Sequence, residues 1–197
     1  IFVNISGSCV NLTEQDEKCD AVIQCFYPGA EGGTALANIL FGKVSPSGKL
    51  SSSIARKYED YPSADHFGDK EKNKYTEDIF VGYRYFETFA KDKVRYPFGY
   101  GLSYTDFAIF GGNFKHEPEK KSLELQVLVK NTGTVAGKEV VQVYGKAPQG
   151  KLGKASRVLC GFGKTKTLTP GEEETMTITV SYDALASYDD EGVTGYE

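Results

Sequence analysis

Residues 96–107 read YPFGYGLSYTDF, five aromatic rings and two glycines in twelve positions, with Asp106 the one charged side chain. Such a string suits a platform for stacking sugar rings, a catalytic loop or a packed structural joint. Its surroundings separate these roles. A charged, turn-rich run precedes it, and an all-β pattern follows it. Gly99 and Gly101 permit tight bends there, while Phe98, Tyr100, Tyr104 and Phe107 offer large areas to bury. The stretch therefore reads as the joint between two differently built regions.

From Thr105 onward the periodicity is two. Leu123, Leu125, Val127 and Val129 alternate with mostly polar neighbours until Asn131-Thr132-Gly133, and Glu139–Tyr144 gives a second strand. Val158, Cys160 and Phe162 alternate in turn. In TMTITV (175–180) Met176, Ile178 and Val180 face one way and three threonines the other, after a turn at Thr169-Pro170-Gly171. Short strands separated by turn signals over about ninety residues imply an immunoglobulin-like or fibronectin-like sandwich. The lack of tryptophan removes the Cys-Trp-Cys core and favours the fibronectin type.

Working back from the joint, IFVGYRYFE (79–87) is an aromatic segment whose alternation sets Ile79, Val81, Tyr83 and Tyr85 on one face. Arg84 offers a planar fork to a carboxylate such as Glu77 or Asp78. Glu77, Tyr83, Arg84, Phe98, Gly99, Tyr100, Gly101 and Tyr104 are accordingly the expected structural residues of the joint. Residues 55–78 read as a surface connector. Further back, residues 1–5 and 20–26 are apolar strand candidates. GAEGGTALANILFGK (29–43) is a helix with Thr34 as expected N-cap and Gly42 at its C-terminal end, and SPSGKL turns into a short strand. This is the rhythm of a parallel α/β domain. Parallel sheets need both faces covered, so the first fifty residues require the rest of a sheet from elsewhere. The chain is expected to be a fragment, closing at 193–197 on the entry to a further strand. The division is 1–55, the end of an α/β domain; 56–104, connector and joint; and 105–197, a sandwich short of its last strand.

Composition excludes several classes. With a net charge of −4 there is no overall basic footprint, so nucleic acid is not an expected partner. No apolar run approaches the roughly 20 residues that cross a bilayer, and no membrane partner is expected. Cys9, Cys19, Cys25 and Cys160 fit no zinc spacing and read as buried reduced thiols, which leans toward the cytoplasm. Asn4 and Asn11 open glycosylation sequons of a kind that arises often by chance. His66 and His116 have no partner histidine or cysteine in sequence, so neither a metal nor a cofactor is expected.

Four motifs occur in order: YPGAEGGTALANILFGKVSPSGKL, YTEDIFVGYRYFE, YPFGYGLSYTDF and VKNTGTVAGKEVVQVY. The series resembles the C-terminal part of glycoside hydrolase family 3, the β-glucosidases and related β-glycosidases. The resemblance implies a three-part retaining enzyme with a (β/α)8 barrel, an α/β sandwich and a fibronectin type III-like domain. Its Asp nucleophile would lie in a motif where Asp precedes Trp, and this chain has no Trp. It also implies an acid/base Glu upstream of the YPG segment. Glu14 and Glu17 lie in a charged loop with no such motif, so no catalytic residue is expected here. The implied partners are the remainder of the enzyme and a β-glucoside substrate. Departures from the pattern are the polar Ser51-Ser52-Ser53 after the GKL turn and Phe26 before Tyr-Pro-Gly.

Glu31 is the candidate for the active-site rim, the alternative being a structural acceptor at a helix start. The competing functional class is a stand-alone fibronectin-type binding or spacer module, against which the incomplete α/β piece stands.

Overall fold

The computed structural model describes every residue except Cys9, 190–194 and Glu197, and the expectations for Cys9 and for positions 193, 194 and 197 lie outside the described residues. It divides into two compact units, one of Ile1–Lys43 with Leu50–Tyr100 and the other of Val44–Lys49 with Gly101–Glu197. The mixed class read from sequence holds: a parallel strand pair with helices in one unit, antiparallel sandwich sheets in the other.

In the first unit β1 (Phe2–Asn4) and β2 (Val22–Gln24) pair in parallel, Phe2 beside Val22 and Asn4 beside Gln24. Parallel neighbours need a crossover, and here it contains the helix α1 (Thr13–Lys18). The charged run 13–18, expected as a loop, is helical. It coils because Leu12, 2% exposed, anchors the start, and because Asp16 is held from β4 (Val94–Tyr96). Its carboxylate takes the Arg95 Nε–H at 2.5 Å and the Tyr96 hydroxyl at 2.6 Å. The helix α2 (Gly32–Leu40) follows β2 and starts before the expected Thr34, with Glu31 in the N-cap position. Gly42 closes it at φ 69°.

The serine run leads into β3 (Ile54–Ala55), antiparallel to β4. Ser53 is buried, and its hydroxyl accepts the Phe98 N–H at 3.2 Å. The aromatic segment corrects the sequence reading, for α3 (Tyr83–Phe89) is a helix rather than an alternating strand. Tyr85 and Phe89 meet across one turn with ring centroids 5.8 Å apart. Phe86 is buried with Ala55 and Ala90, and the Tyr61 ring meets it edge-on at 5.6 Å. In so short an aromatic run, periods of 2 and 3.6 select overlapping sets, and burial against β3 and β4 decides.

The second unit is built on β5 (Phe107–Glu117), β6 (Ser122–Asn131), β7 (Val140–Gly145), β8 (Val158–Lys164) and β9 (Glu173–Ser181). One antiparallel sheet runs β5-β6-β9, the other β7-β8. Val127, Val129, Val141, Leu168 and Ile178 form the buried core, with Phe107, Leu125, Val143 and Met176 packed on it. The alternation of 175–180 is reproduced, Ile178 and Val180 buried and the threonines exposed. β8 departs from expectation. Phe162 is 69% exposed, and the sites facing β9 are Gly161 and Gly163. A Cβ at either would stand within 3.1 Å of Ile178 or Met176. Beyond β9 a short pair forms between β10 (Tyr188–Asp189) and β11 (Gly195–Tyr196). Cys19, Cys25 and Cys160 are free but only partly buried, which corrects the reading of fully buried thiols.

Candidate functional site

In an open parallel sheet, ligands gather beyond the carboxyl ends of the strands. Here that rim consists of residues 5–8 after β1 and the loop 25–31 between β2 and α2. The strand ends are tied by side chains. Asn4 Nδ2 donates to Gln24 Oε1 at 2.6 Å, and Gln24 Nε2 donates to the Ser6 carbonyl at 3.1 Å. The Asn4 carboxamide oxygen also accepts the Ser6 N–H at 3.0 Å. Asn4 is 8% exposed, so this network fixes the rim from beneath.

Above it the backbone is unusual. Phe26 is held at φ 53°, a left-handed conformation costly for an aromatic residue and kept only where surroundings enforce it. The bend sends Tyr27 out at 83% exposure, with its ring over Gly7 so closely that a Cβ there would overlap it. Glu31 follows at the start of α2. Its side chain makes no capping hydrogen bond, although its carbonyl accepts the Ala35 N–H at 2.9 Å. The structural-acceptor alternative is thus not realised through a cap, and the carboxylate stands exposed. An exposed phenol ring and a free carboxylate are groups that stack on sugar rings and accept sugar hydroxyls. The exposure of Tyr27 is not legible in the sequence, where the neighbouring pair Pro28-Gly29 reads only as a strand breaker.

The expected joint residues fall in both units. In the first, Phe98 stacks on Tyr83 at 4.3 Å and Tyr100 on Tyr96 at 5.5 Å. Residues 97–100 make a turn with Tyr100 N–H on the Pro97 carbonyl at 3.1 Å and Gly99 at φ 80°, a value that glycine adopts without penalty. In the second, Gly101 lies so near the Gly48 carbonyl that a Cβ would stand 2.2 Å from its oxygen. Lys49 Nζ donates to the Gly101 carbonyl at 2.9 Å, and the Tyr104 N–H reaches Ser45 Oγ at 3.1 Å. Glu77 and Arg84 are half-buried, and among the described residues no ion pair joins Arg84 to a carboxylate. The Arg84 carbonyl accepts the Thr88 hydroxyl at 2.6 Å, as helical geometry dictates.

Glu14 and Glu17 are exposed on α1, where with Asn11, Thr13 and Gln15 they line an open depression. Among the described residues no cluster of His, Cys, Asp and Glu could hold a metal ion, and no helix is long and apolar enough to cross a membrane. His116 is hydrogen-bonded to Tyr182, their rings stacked at 5.8 Å.

The model of the glycosyl hydrolase family 3 C-terminal domain matches residues 1–104, and that of a fibronectin type III-like domain matches residues 139–194. The chain is 53% identical to a beta-glucosidase of Ruminococcus albus over 99% of its own length and 20% of the relative's. It is 47% identical to beta-glucosidase A of Butyrivibrio fibrisolvens, covering 98% of this chain and 25% of that one. The solved beta-glucosidase of Paenibacillus barengoltzii superposes with a TM-score of 0.92 at 47% identity, over 98% of this chain and 22% of that one. The chain thus spans about a fifth to a quarter of the length of these relatives. With a family model covering more than half its residues, the chain belongs to glycosyl hydrolase family 3.

Proposed function

We propose that this chain is the C-terminal part of a retaining β-glucosidase, acting on terminal, non-reducing β-linked glucose. It supplies architecture and one side of the active-site rim. The observation that carries this reading is the coverage: almost all of this chain aligns at about half identity with beta-glucosidases four to five times as long. A retaining glycosidase needs two carboxyl groups about 5–5.5 Å apart across the scissile bond. The resemblance assigns the nucleophile to an Asp-Trp motif, and no Trp occurs here. The remainder of the enzyme supplies that residue, and the aromatic stretch 96–107 serves as a joint rather than a sugar platform. Glu31 and Tyr27 border the bound sugar.

Assay of the 197-residue chain alone on an aryl β-glucoside, beside the full-length enzyme, tests the division of labour. Turnover by the full enzyme and none by the chain is expected. Turnover by a contaminant-free preparation of the chain overturns it. Glu31→Gln in the full enzyme should raise KM with the melting temperature unchanged, and an unaltered KM removes Glu31 from the rim.

A further inference from the structure

We propose that Ile79, Val81 and Phe89 form an apolar contact surface on which the remainder of the same enzyme packs. This rests on the reading of the chain as part of a longer glucosidase, and it gives that partner a place on the first unit.

The backbone holds the segment Ile79-Phe80-Val81 out. Asp78 sits at φ 49°, unusual for a residue with a side chain. Gly82 sits at φ 61° and ψ −126°, a combination that glycine adopts and other residues avoid. The Phe80 N–H donates to the Glu77 carbonyl at 2.8 Å across the first bend, and the Arg84 N–H to the Val81 carbonyl at 3.3 Å across the second. Between the bends the three side chains part. Phe80 is half-buried, its ring meeting that of Phe89 edge-on at 4.8 Å. Ile79 and Val81 stay out, 45% and 57% exposed.

Phe89, on which Phe80 rests, is itself 62% exposed. It is nonetheless fixed from below. Its ring meets Tyr85 at 5.8 Å, Tyr85 meets Phe86 at 5.4 Å, and Phe86 is buried in the core of the unit. A succession of ring contacts thus ties an exposed ring to the interior, which is how a preformed anchor is built. Single exposed apolar side chains are ordinary on a protein surface, whereas a rigid group of them marks a place of contact.

The size of the group selects the partner. Three side chains exposed to this degree offer on the order of 300 Å². A stable complex between separate molecules buries roughly 800 Å² on each. A second copy of the chain would gain too little here. A partner on the same polypeptide is held at an effective concentration on the order of millimolar and can use a smaller surface. The chain spans 20% and 25% of its two relatives, so most of each lies outside the matched part and is available to cover the group.

The test uses the full-length enzyme carrying this chain, in its native state and unfolded in urea. Hydroxyl-radical footprinting reads Phe89 in the unmodified enzyme, and maleimide labelling reads position 81 in the Val81→Cys variant. At 62% exposure this chain alone would slow the reaction of Phe89 by less than about twofold. Slowing of about tenfold or more at both positions, unchanged over a hundredfold dilution, is expected. Native rates close to the unfolded ones overturn the proposal. Protection that disappears on dilution overturns it in favour of contact between copies. The Phe89 footprint needs no substitution, so it decides the matter even where Val81→Cys fails to fold. Protection without turnover of an aryl β-glucoside sinks the glucosidase reading alone, whereas turnover with both positions freely labelled sinks this one.

Discussion

Lys49 and Glu139 form an ion pair at 2.9 Å with their side chains only 17% and 15% exposed. The same ammonium donates to the Gly101 carbonyl, and the Glu139 carboxylate accepts the Val140 N–H at 2.6 Å. A pair so shielded is costly to break from one side, because the survivor keeps its desolvation penalty. Lys49→Met is therefore expected to destabilise the enzyme by about 2 kcal/mol. Adding Glu139→Gln should restore part of that loss. Thermal unfolding of both single variants and the double one checks it, and simple additivity would show that the two residues act independently.

The aromatic stretch gives the second expectation. Phe98 stacks on Tyr83 and is half-buried, so Phe98→Ala should cost about 2 kcal/mol. In the full enzyme the melting temperature should fall while KM for an aryl β-glucoside stays constant. Gly101→Ala places a methyl against the Gly48 backbone oxygen, which cannot rotate away, and should be the more damaging change. A raised KM with an unchanged melting temperature in Phe98→Ala would restore the sugar-platform reading.

Asn131 is wholly buried and spends its side chain completely. Its oxygen accepts the Thr105 hydroxyl at 2.8 Å and the Gly133 N–H at 3.0 Å, while its nitrogen donates to the Val135 and Leu168 carbonyls at 2.8 and 2.9 Å. Asn131→Ala strands these groups out of water and should cost about 3 kcal/mol. Thr105→Val removes one donor and should cost less, about 1 kcal/mol. Chemical denaturation ranks the two, and the reverse order would contradict the network.

Acid stability should depend on the Thr169-Pro170-Gly171-Glu172 turn. Lys166, then the Thr169 N–H and hydroxyl, hold the Glu172 carboxyl down to about 2 from its ordinary 4.5. A depressed carboxyl stabilises the fold above its unfolded value and loses that contribution as pH falls through the folded one. The contribution of Glu172 is thus whole above pH 4.5 and disappears between there and about 2. Glu172→Gln should flatten the melting-temperature profile in that window and leave its shape unchanged at neutral pH. A profile that falls as steeply in the variant assigns acid lability elsewhere.

Much of the second unit was legible because its strands alternate strictly. TMTITV has no second interpretation, and Pro170-Gly171 can only turn. Phe162 was misassigned because alternation counts apolar residues, while at this strand the core-facing positions are glycines filled from the neighbouring strand. Asn131 was read as the end of a strand, for nothing in Asn-Thr-Gly says that its amide will find four partners. The helical form of 83–89 was hidden by aromatics that satisfy either period. At the proposed rim, Glu31 stands out in the sequence by its glycine-rich setting, whereas the exposure of Tyr27 depends on a left-handed backbone at Phe26 that no local propensity announces.

Gly161 and Gly163 have an evolutionary corollary. Since β8 contributes no side chain there, the local core is written on β9 alone, by Met176 and Ile178. The methionine methyl occupies the space that a Cβ at 163 would need, 2.7 Å away. An alanine at 163 meets the movable end of Met176, which can swing aside, whereas one at 161 meets branched methyls of Ile178 and Val180 at 3.1 and 3.3 Å, so the two glycines differ in how freely they can vary.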